Sequence, residues 1–534
     1  MSSYAFQRTK PGALAVATAV MIVAWLLAKA ILQGTNSFLL IPLVIAGAVV
    51  IVLQILKDWR RGVLLFLTWM LFEDLVRKYL GNNMAIYFAK DALLAVCCLS
   101  FYAARGSKAI PQMRPTFILP FVCFFFWSLV ETFNLNSPSV WYGLLGLKLF
   151  FGYAPLFFLG YALLRNESDL RRFLTLNMVI AALISLLGVV QGVTGIGVLT
   201  PSELAPDIRE LGNLTRAAPI TGETFLRPSS VFVSDSRFGE YLLLAFLLGL
   251  GATAYCFLRR LREKKWMVVA MASIMAGILI SAVRSALMLT IISCAVFIFA
   301  LGPELHLKSS VRHRITKAVS AIAIVGILAV LFLSFYYPEA LNSRVAFFQQ
   351  TLLPSSSAFE LGNRFWDYPT GEFLKTFTFS KWPLGYGIGT SSLGTQYVTR
   401  ILGAPPAGIG VESGYGNLIL EMGIPGLLLW FAWTSTLLIA EWKLVRQLRG
   451  TALFPLGFVI FWFSFIALVP SMVSGIALEN YVTSAYLFLL TGILFSLPSL
   501  VQTDSRVPTH ATRNKKAVPD IPEQPVGNSV HFPV

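Results

Sequence analysis

Apolar runs of about 20 residues recur along almost the whole chain, and that is the length a helix needs to cross the hydrocarbon core of a bilayer. Such runs occupy 12–32, 38–56, 62–80, 84–104, 116–133, 143–164, 173–196, 238–258, 266–283, 284–302, 317–336, 424–441, 452–472 and 480–500. In lipid a segment must satisfy its own backbone hydrogen bonds, so each run is expected as a helix. The fold expected is an all-α polytopic membrane protein of about 14 transmembrane helices, with a range of about 12 to 14. Composition agrees: 13% of residues are charged and mean hydropathy is +0.72, whereas soluble domains are roughly a quarter charged.

Orientation follows from the basic residues, which mark cytoplasmic loops. With the N-terminus in the cytoplasm, alternate loops carry Lys57/Arg60/Arg61, Arg105/Lys108/Arg114, Arg165/Arg171/Arg172, the RRLREKK run at 259–265, the 303–317 segment and Lys443/Arg446/Arg449. The short loops on the other side are nearly free of Lys and Arg, apart from Arg77 and Lys78. The net charge of +16 is therefore mostly an orientation signal and calls for no nucleic-acid partner. Both termini are expected in the cytoplasm. The first run follows Arg8 and Lys10 and is longer than a usual signal core, which favours a retained anchor over a cleaved signal. All five cysteines lie in apolar runs, so neither a disulfide framework nor a metal cluster is expected.

The chain then divides into helices one to seven (1–196), a first external loop (197–237), helices eight to eleven (238–336), a large second external loop (337–423), the last three helices (424–500) and a polar tail (501–534) expected to be disordered. Long loops without obvious secondary structure are uncommon unless functional. Both long loops face the same side and are placed to build one site over the membrane.

Several residues there carry chemistry. Arg284 interrupts the apolar run 266–302, which is too long for one span and must turn near it. An intramembrane arginine is costly and is a functional candidate by default, although a snorkelling arginine at a helix end would look the same. Arg227 and Arg237 bracket a short β-prone piece leading into a helix. Arginine's planar fork suits bidentate capture of phosphate, while pairing with Asp235 or Glu240 is the simpler role. Arg364 with Trp366 sets a cation beside an aromatic face apt for a sugar or a diphosphate. The glycine-rich GYGIGT at 385–390 lacks the strand-to-helix setting of a nucleotide fingerprint and reads better as a tight turn holding the loop at the membrane. Lys148 has no obvious local partner and suits an anionic substrate. Glu73 with Arg77 and Asp74 with Lys78 stand four apart on one helix and can pair, and Lys90-Asp91 lies within the fourth run.

In VESGYGNLILEMGIPGLLLW (411–430), Gly423 is placed to end a helix and Pro425 to begin the next. Residues 412–422 then form a short helix with Glu412 near its N-terminus and Glu421 near its C-terminus. The helix dipole disfavours a carboxylate at the latter end, so Glu421 is expected to meet a cation.

The order of Arg227, VRSA (283–286), NRFW (363–366), PLGYGIGT (383–390) and YGNLILEMGIPGLLL (415–429) resembles the bacterial O-antigen ligase/polymerase superfamily of GT-C-type membrane glycosyltransferases, over roughly residues 170–500, with LFEDLVRKYL (71–80) as weaker support. The resemblance implies a GT-C-like fold in the bacterial inner membrane and transfer of glycan from undecaprenyl diphosphate on the periplasmic face. It implies that Arg227 and Arg284 bind the lipid diphosphate and that Arg364 belongs to the catalytic loop. In the ligase branch the position of Glu412 is commonly histidine. The departure here, with no histidine on the external side, favours a polymerase of O-antigen or exopolysaccharide repeat units.

On that reading the leaving group needs only charge stabilisation, which arginines supply, and Glu412 activates a sugar hydroxyl. Arg237, Lys148 and Trp366 are further substrate contacts. The donor and acceptor are undecaprenyl-diphosphate-linked oligosaccharides, and a chain-length regulator and a flippase are natural partners. No Asp-x-Asp motif occurs in the external loops, so no metal and no cofactor are expected. Two rivals stay open: a ligase moving the finished glycan to lipid A core or protein, and a transporter of lipid-linked glycan, for which midplane ions such as Lys90 and Asp91 would be the mark.

Overall fold

A computed structural model describes residues 47, 49–80, 84–105, 115–195, 199, 201, 214–305, 309–353, 366–392 and 394–506. The first expected span, most of the second, much of the first long loop and the tail beyond 506 lie outside the described residues. The chain runs through α1 (Trp59–Tyr79), α2 (Met84–Arg105), α3 (Ile118–Glu131), α4 (Val140–Phe151), α5 (Leu156–Leu163) and α6 (Glu167–Thr194). A two-stranded hairpin follows, β1 (Thr215–Ala217) and β2 (Thr224–Leu226), with Arg216 opposite Phe225. Then come α7 (Asp235–Leu258), α8 (Lys264–Ser281), α9 (Arg284–Leu305), α10 (Ser309–Tyr336), α11 (Pro338–Leu352), α12 (Tyr368–Lys375), α13 (Thr395–Leu402), α14 (Gly414–Gln447), α15 (Phe454–Leu468) and α16 (Tyr481–Arg506).

Among the described residues, nine helices are long and apolar enough to cross a membrane. They correspond to nine of the runs predicted from sequence. Of the others within reach, Ile118–Glu131 and Gly326–Tyr336 are shorter apolar helices. The helix α1 is long enough but carries Glu73, Asp74, Arg77 and Lys78, all buried. The protein is thus a helical membrane protein, built around α7, whose spanning window is 89% buried.

Local sequence explains the breaks. Asn166 caps α6 by accepting from Asp169 N, and Gly195 ends it with a left-handed φ of 63°. Ser234 caps α7 by accepting from Arg237 N. The long apolar run 266–302 turns at Ala282, whose φ of 52° is rare for a side chain larger than glycine. Ser281 Oγ accepts from Val283 N across the turn at 3.3 Å. Arg284 is thereby set as the first residue of α9, as the sequence predicts. In α14 the helix breaks at Gly423 (φ 65°, ψ −171°) and resumes before Pro425, again at the predicted join.

The two long loops meet. Phe225 of the hairpin packs edge-on against Phe347 of α11 at 5.4 Å. Ile220 N donates to Gln350 Oε1 at 2.9 Å. The strongest tie is Arg344, only 2% exposed. It donates from Nε to Ile280 O (2.9 Å), from Nη1 to Ala340 O (2.6 Å), and from Nη2 to Gly192 O (2.8 Å) and Leu226 O (2.7 Å). One guanidinium so joins the end of α8, the end of α6, the hairpin and α11, and burial lowers its pKa to about 10, still cationic at neutral pH.

A three-arginine cavity and two outlying clusters

The junction of hairpin, α9 and α11 encloses a cavity of about 460 Å³ lined by Arg216, Ala217, Pro219, Arg227, Ala282, Arg284 and Phe347. Each arginine is placed by a different device. Arg216 stands on β1. Arg227 follows β2, where its backbone N donates to Leu214 O at 2.8 Å. Arg284 is presented by the Ala282 turn, with its guanidinium 5.3 Å from the Phe347 ring centroid. A cation at a helix start works against the macrodipole. An anion in front of it would be favoured both by that dipole and by the side chain.

Electrostatics in the cavity are strongly cationic. Arg227 Nη1 lies 2.8 Å from Asp235 Oδ2, the one acid in direct contact with it among the described residues. Its Nε is buried with no hydrogen-bond partner among those residues. Burial lowers the pKa of Arg227; Asp235 counters that, and the charges of Arg216 and Arg284 lower it further. The three guanidiniums therefore feel one another, and an oxyanion between them would relieve the repulsion. Arg216 and Arg344 did not emerge from the sequence as site residues. Both lie in the two long external loops, where nothing in the local sequence sets them apart.

Arg237 and Lys148 do not line this cavity. They belong to a polar cluster among α1, α2, α4 and the start of α7. The predicted pairs within α1 are exchanged for others. Glu73 takes Lys90 at 2.9 Å, and Asp74 takes Arg77 at 3.0 Å and Arg237 at 3.1 Å. Lys78 donates to Leu199 O, Ser229 Oγ and Ser230 O, tying the first long loop down. Lys148, expected without a local partner, meets Asp91 at 2.6 Å. Sequence spacing gave i,i+4 geometry along one helix, but Asp74 takes Arg77 at i,i+3 instead, and tertiary packing brings Lys90 to Glu73 and Arg237 to Asp74 from other helices.

Glu412 stands two residues before α14, exposed, beside its cap residue Ser413. Tyr368 OH donates to Glu412 Oε2, and Glu412 N donates to Glu372 Oε2 at 2.8 Å. Glu412 is not among the residues lining the arginine cavity. Trp366 is 76% exposed, and Arg364 lies outside the described residues.

Glu421 departs from expectation. It is fully buried, and among the described residues no cation meets it. Its Oε1 accepts instead from Ser391 N (3.1 Å) and Ser391 Oγ (2.9 Å). The GYGIGT segment docks on the same kink: Tyr386 N donates to Leu420 O (2.7 Å), Gly387 N to Glu421 O (3.0 Å) and Ile424 N to Pro383 O (3.2 Å). Gly385, Gly387 and Gly389 all have positive φ, and a Cβ on Gly389 would lie 2.1 Å from Tyr142 O. The motif is thus a turn that fixes the loop against α14 and α4.

No protein-family model and no curated protein matches this chain.

Proposed function

We propose that the protein is a bacterial inner-membrane glycosyltransferase that polymerises lipid-linked polysaccharide repeat units. The growing glycan passes from undecaprenyl diphosphate to a sugar hydroxyl of the next lipid-linked unit. The observation that carries this reading is the cavity itself. Arg227 and Arg284, far apart in sequence and both singled out as diphosphate ligands, face one cavity together with a third arginine.

The chemistry needs little else. The acceptor oxygen attacks the anomeric carbon, the bond from that carbon to the diphosphate oxygen breaks, and undecaprenyl diphosphate leaves with the electron pair. Arg216, Arg227 and Arg284 neutralise the charge developing on the leaving group; fixed donors aimed at such charge are among the largest catalytic terms. The hydroxyl proton passes to Glu412, with Arg364 on the diphosphate or the acceptor glycan. Tyr368 and the Glu372 contact fix where the Glu412 carboxylate stands.

A strain lacking the protein tests the reading. Loss of a polymerase leaves single repeat units on the cell surface. Loss of a ligase leaves full-length chains on the lipid carrier, and that result would remove the polymerase reading.

A further inference from the structure

The polar cluster around Lys148 has no part in the mechanism above, yet its composition is unusual for a membrane interior. Five cations, Arg77, Lys78, Lys90, Lys148 and Arg237, gather with three carboxylates, Glu73, Asp74 and Asp91. Glu240, held by Asn480 and Thr483, is a fourth acid close to Arg237. Cations stay in excess either way, and uncompensated charge in such a setting is costly.

Most members have fixed partners. Lys90 is fully buried between Glu73 and Tyr87 O, and Lys78 has three neutral oxygens. Lys148 differs. Its ammonium has three protons but, among the described residues, no partner beyond Asp91. It sits 4.1 Å from the ring centroid of Tyr87 and 4.3 Å from that of Phe88. The Lys148 and Asp91 side chains are 20% and 30% exposed, where Lys90 and Glu73 are 0%; Lys148 Nζ and Asp91 Oδ2 are themselves buried, so the pair must part for an anion to enter. Asp91 lies about 10 Å along α2 from its start, at 1.5 Å per residue.

We infer that Lys148 forms a second anion site, for the diphosphate of the acceptor lipid, and that Asp91 holds Lys148 until that anion replaces it. The inference rests on the polymerase reading, which needs two lipid diphosphates bound at once. Asp91 and the incoming anion compete for one ammonium, so the two partners of the pair have opposite effects on binding. A purely structural ion pair would make them alike.

The test counts farnesyl diphosphate molecules bound to the full chain in zwitterionic nanodiscs by native mass spectrometry, with affinities from titration. Two are expected to bind. The double variant Arg227→Ala/Arg284→Ala keeps one, and Lys148→Gln keeps the other. Asp91→Asn tightens the second site about tenfold, as expected when a competing charge a few ångströms away is removed. A single bound diphosphate, lost in the Arg227/Arg284 variant, overturns the inference and leaves the polymerase reading intact. Equal weakening by Asp91→Asn and Lys148→Gln also overturns it. So does displacement of the second molecule by phosphatidylglycerol at ordinary membrane abundance, which would assign the site to phospholipid headgroups. Two diphosphates binding as described, with no glycosidic bond ever formed, supports the second site and removes the polymerase reading.

Discussion

Arg284 begins a helix, a position where its charge is opposed by the backbone, and it shares a cavity with two other guanidiniums. Its place makes sense when an anion sits in front of it. Arg284→Ala and Arg227→Ala should each lower the turnover of the reconstituted protein about 10²-fold or more, the scale of losing one preorganised donor. Lysine at either position should restore little of it, since a point charge does not reproduce the bidentate fork. Arg344 should behave differently, because its four acceptors are all backbone carbonyls. Arg344→Met leaves those carbonyls unsatisfied and should cost about 3 kcal/mol of stability, seen as a lowered thermal midpoint in detergent. An unchanged midpoint would mean that the loop junction does not depend on it. Arg227 and Arg284 were legible in the sequence because each stands out against its surroundings, one in an apolar run and the other before a β-prone piece. Arg216 was not, because nothing local distinguishes a hairpin arginine from a solubilising one.

At the scale of elements, the kink of α14 was legible because glycine and proline limit backbone geometry whatever surrounds them. The environment of Glu421 was not. The helix dipole disfavours a lone carboxylate there, but one oxygen of a buried carboxyl can be met by an amide and a hydroxyl, and Ser391 supplies both to Glu421 Oε1. Glu421→Gln retains an acceptor oxygen and should stay within about 1 kcal/mol of the parent, while Glu421→Ala strands both Ser391 donors and should cost about 2 kcal/mol. Equal losses in thermal unfolding would restore the ionic expectation. The docked turn makes a second prediction. Gly389→Ala places a Cβ against Tyr142 O at a left-handed φ of 82°, which should free the 383–391 segment. Limited proteolysis near Lys381 in the variant, absent in the parent, is the expected readout.

For the whole molecule, the helical runs were legible from hydrophobicity alone, whereas the meeting of the two long loops depends on contacts separated by more than a hundred residues. The charge bias predicts which face carries that junction. In a background without the native cysteines, Glu223→Cys on the hairpin should react with a membrane-impermeant maleimide in intact spheroplasts, and Arg262→Cys should react only after lysis. The reverse pattern would turn the topology over and move the arginine cavity to the cytoplasm.

Glycan transfer at the arginine cavity is the step to measure. The most direct measurement incubates the purified protein in liposomes with an undecaprenyl-diphosphate-linked repeat unit and resolves the products by length. A ladder of extended glycans with matching release of undecaprenyl diphosphate, lost in Arg284→Ala and Glu412→Ala proteins that remain folded, is the predicted result. Unextended substrate with the parent protein, or a ladder of near-normal rate from either variant, would contradict it.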